Sequence, residues 1–248
     1  MWVEIILSIF LLFVFCYWFF HIPTLLTTCR HAELALKRGK VLLVIAHPDD
    51  ESMFFSPILS YLMNLRDMNL SVLCLSQGET EELGKIRAKE LEECLKHVYG
   101  LNVHTHLKII DDKKNLPDNI TIFWKSDVII PYIQSMITIH GVDTIITFDD
   151  IGMLSSQSNL CVLKLKSQKT LWRKYTGCLE PFIQYLLHKY FFWQSDCVVV
   201  FNNIKNGWTG MSHHHSQFLW FRKLFVIFSQ YCWMNTFFVE FTTSDHEK

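Results

Sequence analysis

The apolar run Val41-Leu42-Leu43-Val44-Ile45-Ala46 leads directly into His47-Pro48-Asp49-Asp50-Glu51. A short β-branched run without a polar side reads as a strand buried on both faces. A chain with such a strand must cover both faces of a sheet, and it delivers an imidazole and three carboxylates at the strand's carboxyl end. Ligand sites form there in open α/β sheets. The spacing allows His47 and Asp50 to hold one zinc-type divalent cation while Asp49 takes the proton of a water beside it. The competing reading is an acidic turn opening a helix, since Asp caps helices and Glu favours their first turn.

Strand and helix patterns then alternate. A helix is expected over 53–66, a strand over 71–76, a charged helix over 84–98 and a strand over 103–110. A helix over 127–140, a strand over 144–148 and a strand from Cys161 complete the pattern. Alternation of this kind predicts a doubly wound, mostly parallel, Rossmann-like α/β sheet with right-handed crossovers. Acidic residues follow three of its strands, with Asp111 and Asp149 open to either helix capping or a site role. No Gly-x-Gly-x-x-Gly follows a strand, and the acidic turn would repel a pyrophosphate, which argues against a dinucleotide-binding protein.

The N-terminus adds a membrane element. From Ile5 to Phe20 every residue is apolar or aromatic except Ser8, close to the lower limit for a spanning helix. The run begins after Glu4 and ends in Tyr17-Trp18-Phe19-Phe20, which suits an uncleaved anchor with an interfacial belt better than a signal peptide. The expected organisation is an anchor over 1–24, a basic linker over 25–40, an α/β domain over 41–235 and a polar tail over 236–248. Arg30, Lys37, Arg38 and Lys40 follow the span and no Lys or Arg precedes it, so the positive-inside rule puts the domain in the cytosol. Eight scattered cysteines fit a reducing compartment. A net charge of −1 with no basic block argues against nucleic acid as a partner.

Ala46-His47-Pro48-Asp49-Asp50-Glu51 resembles the signature of the zinc-dependent sugar de-N-acetylases related to LmbE. Further similar motifs follow in that family's order: Gly84-x-x-Arg87-x-x-Glu90-Leu91, Ile109-Ile110-Asp111, Ile145-Ile146-Thr147-Phe148-Asp149 and the tail from Ser212 to Arg222. The resemblance implies an LmbE-like fold and metal-dependent hydrolysis of an N-acetyl group. Within the family it is strongest to the branch acting on N-acetylglucosaminyl-phosphatidylinositol in glycosylphosphatidylinositol-anchor synthesis. It therefore implies a glycolipid substrate and a single-pass protein of the endoplasmic reticulum membrane. On the same basis Arg87, otherwise a solvated helix position, would bind polar substrate oxygens. His214 falls at the family's tail histidine, with His213 and His215 as polar surface.

One departure stands out. Family members carry Gly-His-x-Asn-His after the strand ending at Asp149, and its second histidine is the third metal ligand. This chain reads Gly152-Met153-Leu154-Ser155-Ser156-Gln157-Ser158-Asn159-Leu160, with Gln157 and Leu160 where the histidines would stand. A crossover helix is expected to be missing there, which admits a catalytically impaired member as the alternative. The segment 218–233 reads either as a buried closing helix or as a helix in the membrane interface.

Overall fold

The computed structural model describes residues 2–19, 23–27, 29–65, 69–78, 81–119, 121–149, 160–168, 170–191 and 197–242. The chain begins with helix α1 (Trp2–Phe19), strand β1 (Thr24–Thr27), α2 (Arg30–Arg38) and β2 (Lys40–Ile45). After the acidic turn come α3 (Asp50–Met53), α4 (Ser56–Met63), β3 (Asn69–Cys74), α5 (Glu81–His97), α6 (Val103–His106) and β4 (Leu107–Ile109). Next are α7 (Ser126–His140), β5 (Thr144–Phe148), β6 (Cys161–Leu165), α8 (Leu171–Lys174), α9 (Leu179–Phe191) and β7 (Cys197–Phe201). α10 (Lys205–His213), α11 (Trp220–Phe228) and β8 (Met234–Phe241) close the fold.

The strands form one sheet in the order β1-β7-β8-β6-β5-β2-β3-β4. From β6 to β4 every pairing is parallel, while β8 pairs antiparallel with β6 and β7, and β1 antiparallel with β7. The expected doubly wound parallel half is therefore present, extended by an antiparallel edge. β2 is central, with β5 on one side and β3 on the other. Alternate β2 residues face opposite ways. Val41, Leu43 and Ile45 pack in one core with Leu59 and Leu91, and Leu42 and Val44 in another with Ile133 and Met136 of α7. Each such fully buried Leu or Ile contributes about 1.5–3 kcal/mol over its exposed state. These two cores hold the end of β2 rigidly.

Several expected boundaries are corrected. The linker of residues 25–40 contains most of β1 and all of α2, because Ala32 and Leu36 are buried in the core beneath the sheet. The polar tail 236–248 contains most of β8, where Phe237 is fully buried. The helix over 53–66 is broken between α3 and α4, with Pro57 starting the second piece. The strand over 103–110 is a helical turn followed by the short β4. Pro131 lies inside α7, whose span agrees with the helix expected over 127–140. The segment Gly152–Asn159 lies outside the described residues, but β5 and β6 pair directly across it. Their connection, 149–160, is at the lower limit for a parallel crossover, about ten to twelve residues.

Candidate active site

The turn after β2 is wrapped around its own carboxylates. Asp50 Oδ2 accepts the backbone N–H of Ala46 at 3.1 Å and of His47 at 2.9 Å. Glu51 Oε2 accepts the N–H of Asp49 at 3.0 Å. Asp49 is forced into the left-handed region, φ 112°, the one non-glycine residue there among the described residues. Strain of this kind persists only where surrounding bonds over-determine it, and it clusters at functional sites. Here the surroundings are two side-chain acceptors one and two residues further on.

Behind the turn, Glu51 and His214 are completely buried and joined, Glu51 Oε1 to His214 Nε2, at 2.6 Å. Cys94 Sγ donates to the same Glu51 oxygen at 3.3 Å and Ser52 Oγ at 2.7 Å. The donor atoms of Glu51, Cys94 and His214 lie within 4.8 Å of one another, a spacing that a metal ion could use. Their hydrogen bonds argue for a brace instead. Burial pushes the Cys94 thiol well above its ordinary range, so it stays protonated and a poor ligand. Close approach of α10 makes the brace possible: a Cβ at Gly210 would collide with the Ser52 side chain.

In front of the turn is a cavity of about 920 Å³, within the range of ligand sites. His47, Asp49, Asp50 and Arg87 all line it, together with Asp118, Gln217 and Arg222. Four of the seven expected site residues therefore meet in one place. Asp111 is exposed and Asp149 binds the backbone N–H and hydroxyl of Ser167 at 2.9 and 2.7 Å; neither lines the cavity. His214 does not line it either, being committed to Glu51. The loop and tail residues Asp118, Gln217 and Arg222 had no assigned role in the sequence reading; the Leu-Pro-Asp turn after β4 was the available signal for the first.

Charge dominates this wall. Arg222 binds Asp49 directly, and Arg87 Nη2 lies 3.8 Å from Asp49 while donating to the Pro48 carbonyl at 3.1 Å. Burial raises the Asp49 carboxyl above its ordinary range, against the pull of both guanidinium groups. Burial, with the neighbouring Asp49 charge, pushes Asp50 up to about 8, against two backbone N–H bonds. Burial also lowers His47, against the attraction of Asp118, which favours the neutral imidazole that a metal requires. Asp118 Oδ1 lies 3.0 Å from His47 Nε2, but out of line for a hydrogen bond, so that buried nitrogen has no hydrogen-bond partner. A buried imidazole nitrogen against the Asp118 carboxylate, with Asp50 raised by burial and by the Asp49 charge, is a donor set that a divalent cation would satisfy.

Residues 42–159 match the family model for PIG-L, GlcNAc-PI de-N-acetylase. The chain is 29% identical to a probable N-acetylglucosaminyl-phosphatidylinositol de-N-acetylase from Dictyostelium discoideum, over 81% of this chain and 93% of that protein. It is 31% identical to the N-acetylglucosaminyl-phosphatidylinositol de-N-acetylase of Bos taurus, over 85% of this chain and 87% of the relative. Among solved structures, a deacetylase triple mutant of the teicoplanin biosynthetic pathway superposes with a TM-score of 0.51 at 13% identity, covering 84% of this chain and 100% of that one, a likeness of fold alone. With the acidic turn, the sheet and the cavity in the same places that the motifs predict, the chain belongs to the N-acetylglucosaminyl-phosphatidylinositol de-N-acetylase family.

Proposed function

We propose that this protein removes the acetyl group from N-acetylglucosaminyl-phosphatidylinositol by metal-dependent hydrolysis, as a step of glycosylphosphatidylinositol-anchor synthesis. The observation that carries the reading is Asp49, buried and strained at the carboxyl end of the central strand, on the wall of the cavity. His47 and Asp50 would hold a zinc-type ion, with Asp118 beside His47 Nε2 as the third donor. Bound there, such an ion lowers the pKa of water and polarises a carbonyl.

The chain's own groups do the rest. The Asp49 carboxylate takes the proton of the attacking water and returns it to the glucosamine nitrogen as the C–N bond breaks, leaving acetate and a free amine. A carboxyl raised by burial suits this exchange, since a general base works best near the operating pH. Arg222 and Arg87 keep positive charge against Asp49 and line the wall where the substrate's polar oxygens would lie. The cavity has two characters, which suits a glycolipid. His47, Asp118 and Arg87 give its lining charge and hydrogen-bonding groups, and Phe221, Leu224 and Phe228 give it apolar surface. The N-terminal helix would anchor the protein once in the endoplasmic reticulum membrane, with the domain on the cytosolic side.

A second reading, a member that binds glycolipid without turnover, is favoured by Leu160. It stands where the family has a histidine, and it is buried in the core with Ile145 and Val162. Zinc content measured beside acetate release separates the two readings. The enzyme reading expects about one zinc per chain, with turnover lost to a chelator and restored by zinc. Asp118→Ala should then lower zinc content while leaving the melting temperature of the metal-free protein unchanged. A chain that binds the glycolipid but holds no zinc and releases no acetate would establish the second reading.

A further inference from the structure

The N-terminal helix is at the short end of the range for crossing a bilayer. It has 18 residues, which at about 1.5 Å per residue span about 27 Å, against a hydrocarbon core of about 30 Å. Its second half is not free, however. Phe13 packs edge-on against Trp233 at 5.4 Å, Phe15 against Phe182 at 5.8 Å and Phe19 against Tyr185 at 5.0 Å. Residues 13–19 belong to the apolar run that would cross, so the domain surface gripping them would lie at membrane depth too.

That surface is apolar and faces the right way. β1 runs antiparallel to β7, with Thr24 opposite Phe201 at the carboxyl end of β7. The helix thus meets the sheet at the edge where the cavity opens. α8 follows the carboxyl end of β6, and α11 leads into β8 at Met234, opposite Phe201, so both lie at this edge. Their outward side chains include Trp172, 82% exposed, and Trp220, 73% exposed, with Leu171 and Ile183 nearby in sequence order. On α11 Val226 is the one buried residue, whereas Leu224 and Phe228 are exposed and also line the cavity. Arg173 and Lys223 are exposed among these residues, the mixture of aromatic and basic groups that favours a headgroup boundary.

We propose that α8, α9 and α11 form a docking face that sits in one leaflet beside the N-terminal helix, so that the cavity opens sideways into lipid. The proposal rests on the reading that this helix crosses a bilayer, and it deepens the glycolipid assignment: substrate enters without leaving the membrane. A buried closing helix is excluded for 220–228 by the exposure of its outer face.

The test needs no turnover. The full chain is reconstituted in phosphatidylcholine vesicles with an environment-sensitive fluorophore on Trp172→Cys, Trp220→Cys or Ile139→Cys. Ile139 is 67% exposed near the end of α7, which leads into the start of β5 and so lies at the opposite sheet edge. The unsubstituted chain supplies the background from native cysteines. Probes at 172 and 220 should shift to the blue and be quenched at least two-fold by lipids brominated near the top of the acyl chain. The probe at 139 should do neither. Probes at 172 and 220 that behave like 139 would overturn the proposal, leaving the helix as a bare tether. A blue shift without bromolipid quenching would overturn it in favour of a protein partner or a second copy. Neither result bears on deacetylation, which the zinc and acetate measurements decide separately.

Discussion

At the scale of single residues, the strain at Asp49 separates shape from chemistry. Asparagine tolerates the left-handed region nearly as well as aspartate, so Asp49→Asn should leave the melting temperature almost unchanged. Removing the base should lower turnover by about 10²–10⁴-fold, read as acetate release per chain. The brace behind the turn should behave in the opposite way. His214→Ala leaves the fully buried Glu51 carboxylate without its partner, and breaking a buried ion pair costs about 3–5 kcal/mol, measurable by urea denaturation. Glu51→Gln, which keeps an acceptor and removes the charge, should cost less. His47, Asp49 and Asp50 were legible because they are adjacent on a strand end, where chain order fixes spatial order. Arg222 and Asp118 were not, since their meeting with Asp49 and His47 depends on where a tail and a loop come to rest. Asp111 and Asp149 had the right position after a strand, but that position alone does not fix which way a side chain points. His214 was noticed for its place in a motif, and its chemistry, the contact with Glu51, belongs to the packed state.

Among elements, glycines decide how closely the pieces around the site approach. Gly78, just after β3, has φ 105°, and a Cβ there would strike the Arg87 guanidinium. Gly78→Ala should therefore displace Arg87 from the Pro48 carbonyl, and its expected sign is a raised KM with the fold retained. Gly210→Ala, by contrast, drives a methyl group into Ser52 and should cost about 1–3 kcal/mol as overpacking, seen as a lower melting temperature. Periodicity found the strands and the long helices because each buries a continuous apolar face. It failed at 103–110, where β-branched composition hid a helical turn closed by the backbone N–H of His106 to Asn102. It also failed at 236–241, where Phe237 and Val239 carry a strand that completes the sheet from its antiparallel side.

For the whole molecule, the N-terminal segment is part of the fold as well as the proposed anchor. Residues 12, 13 and 17 pack on the cluster around Trp233 and Phe201, and β1 covers the edge of β7. A chain truncated after residue 28 should accordingly aggregate or melt lower than one truncated after residue 22, which keeps β1; sedimentation and thermal melts compare them. From sequence alone a cut near Thr28 looks harmless, since local pattern cannot show that Thr24–Thr27 find a partner so far away. Of the two acceptor sequons, Asn69-Leu70-Ser71 lies within β3 with Ser71 buried, and Asn119-Ile120-Thr121 includes a residue outside the described set. Neither should show an endoglycosidase shift if the domain is cytosolic. The pairing of Thr24 with Phe201 also bears on the order of folding. β1 is made early, directly behind the proposed anchor, yet its hydrogen-bonding partner β7 leaves the ribosome only after β2 to β6. Non-local pairings of this kind form late. On the anchored reading, the sheet would not close before the N-terminal helix has had time to reach a membrane, and insertion would precede completion of the domain that the helix helps to hold.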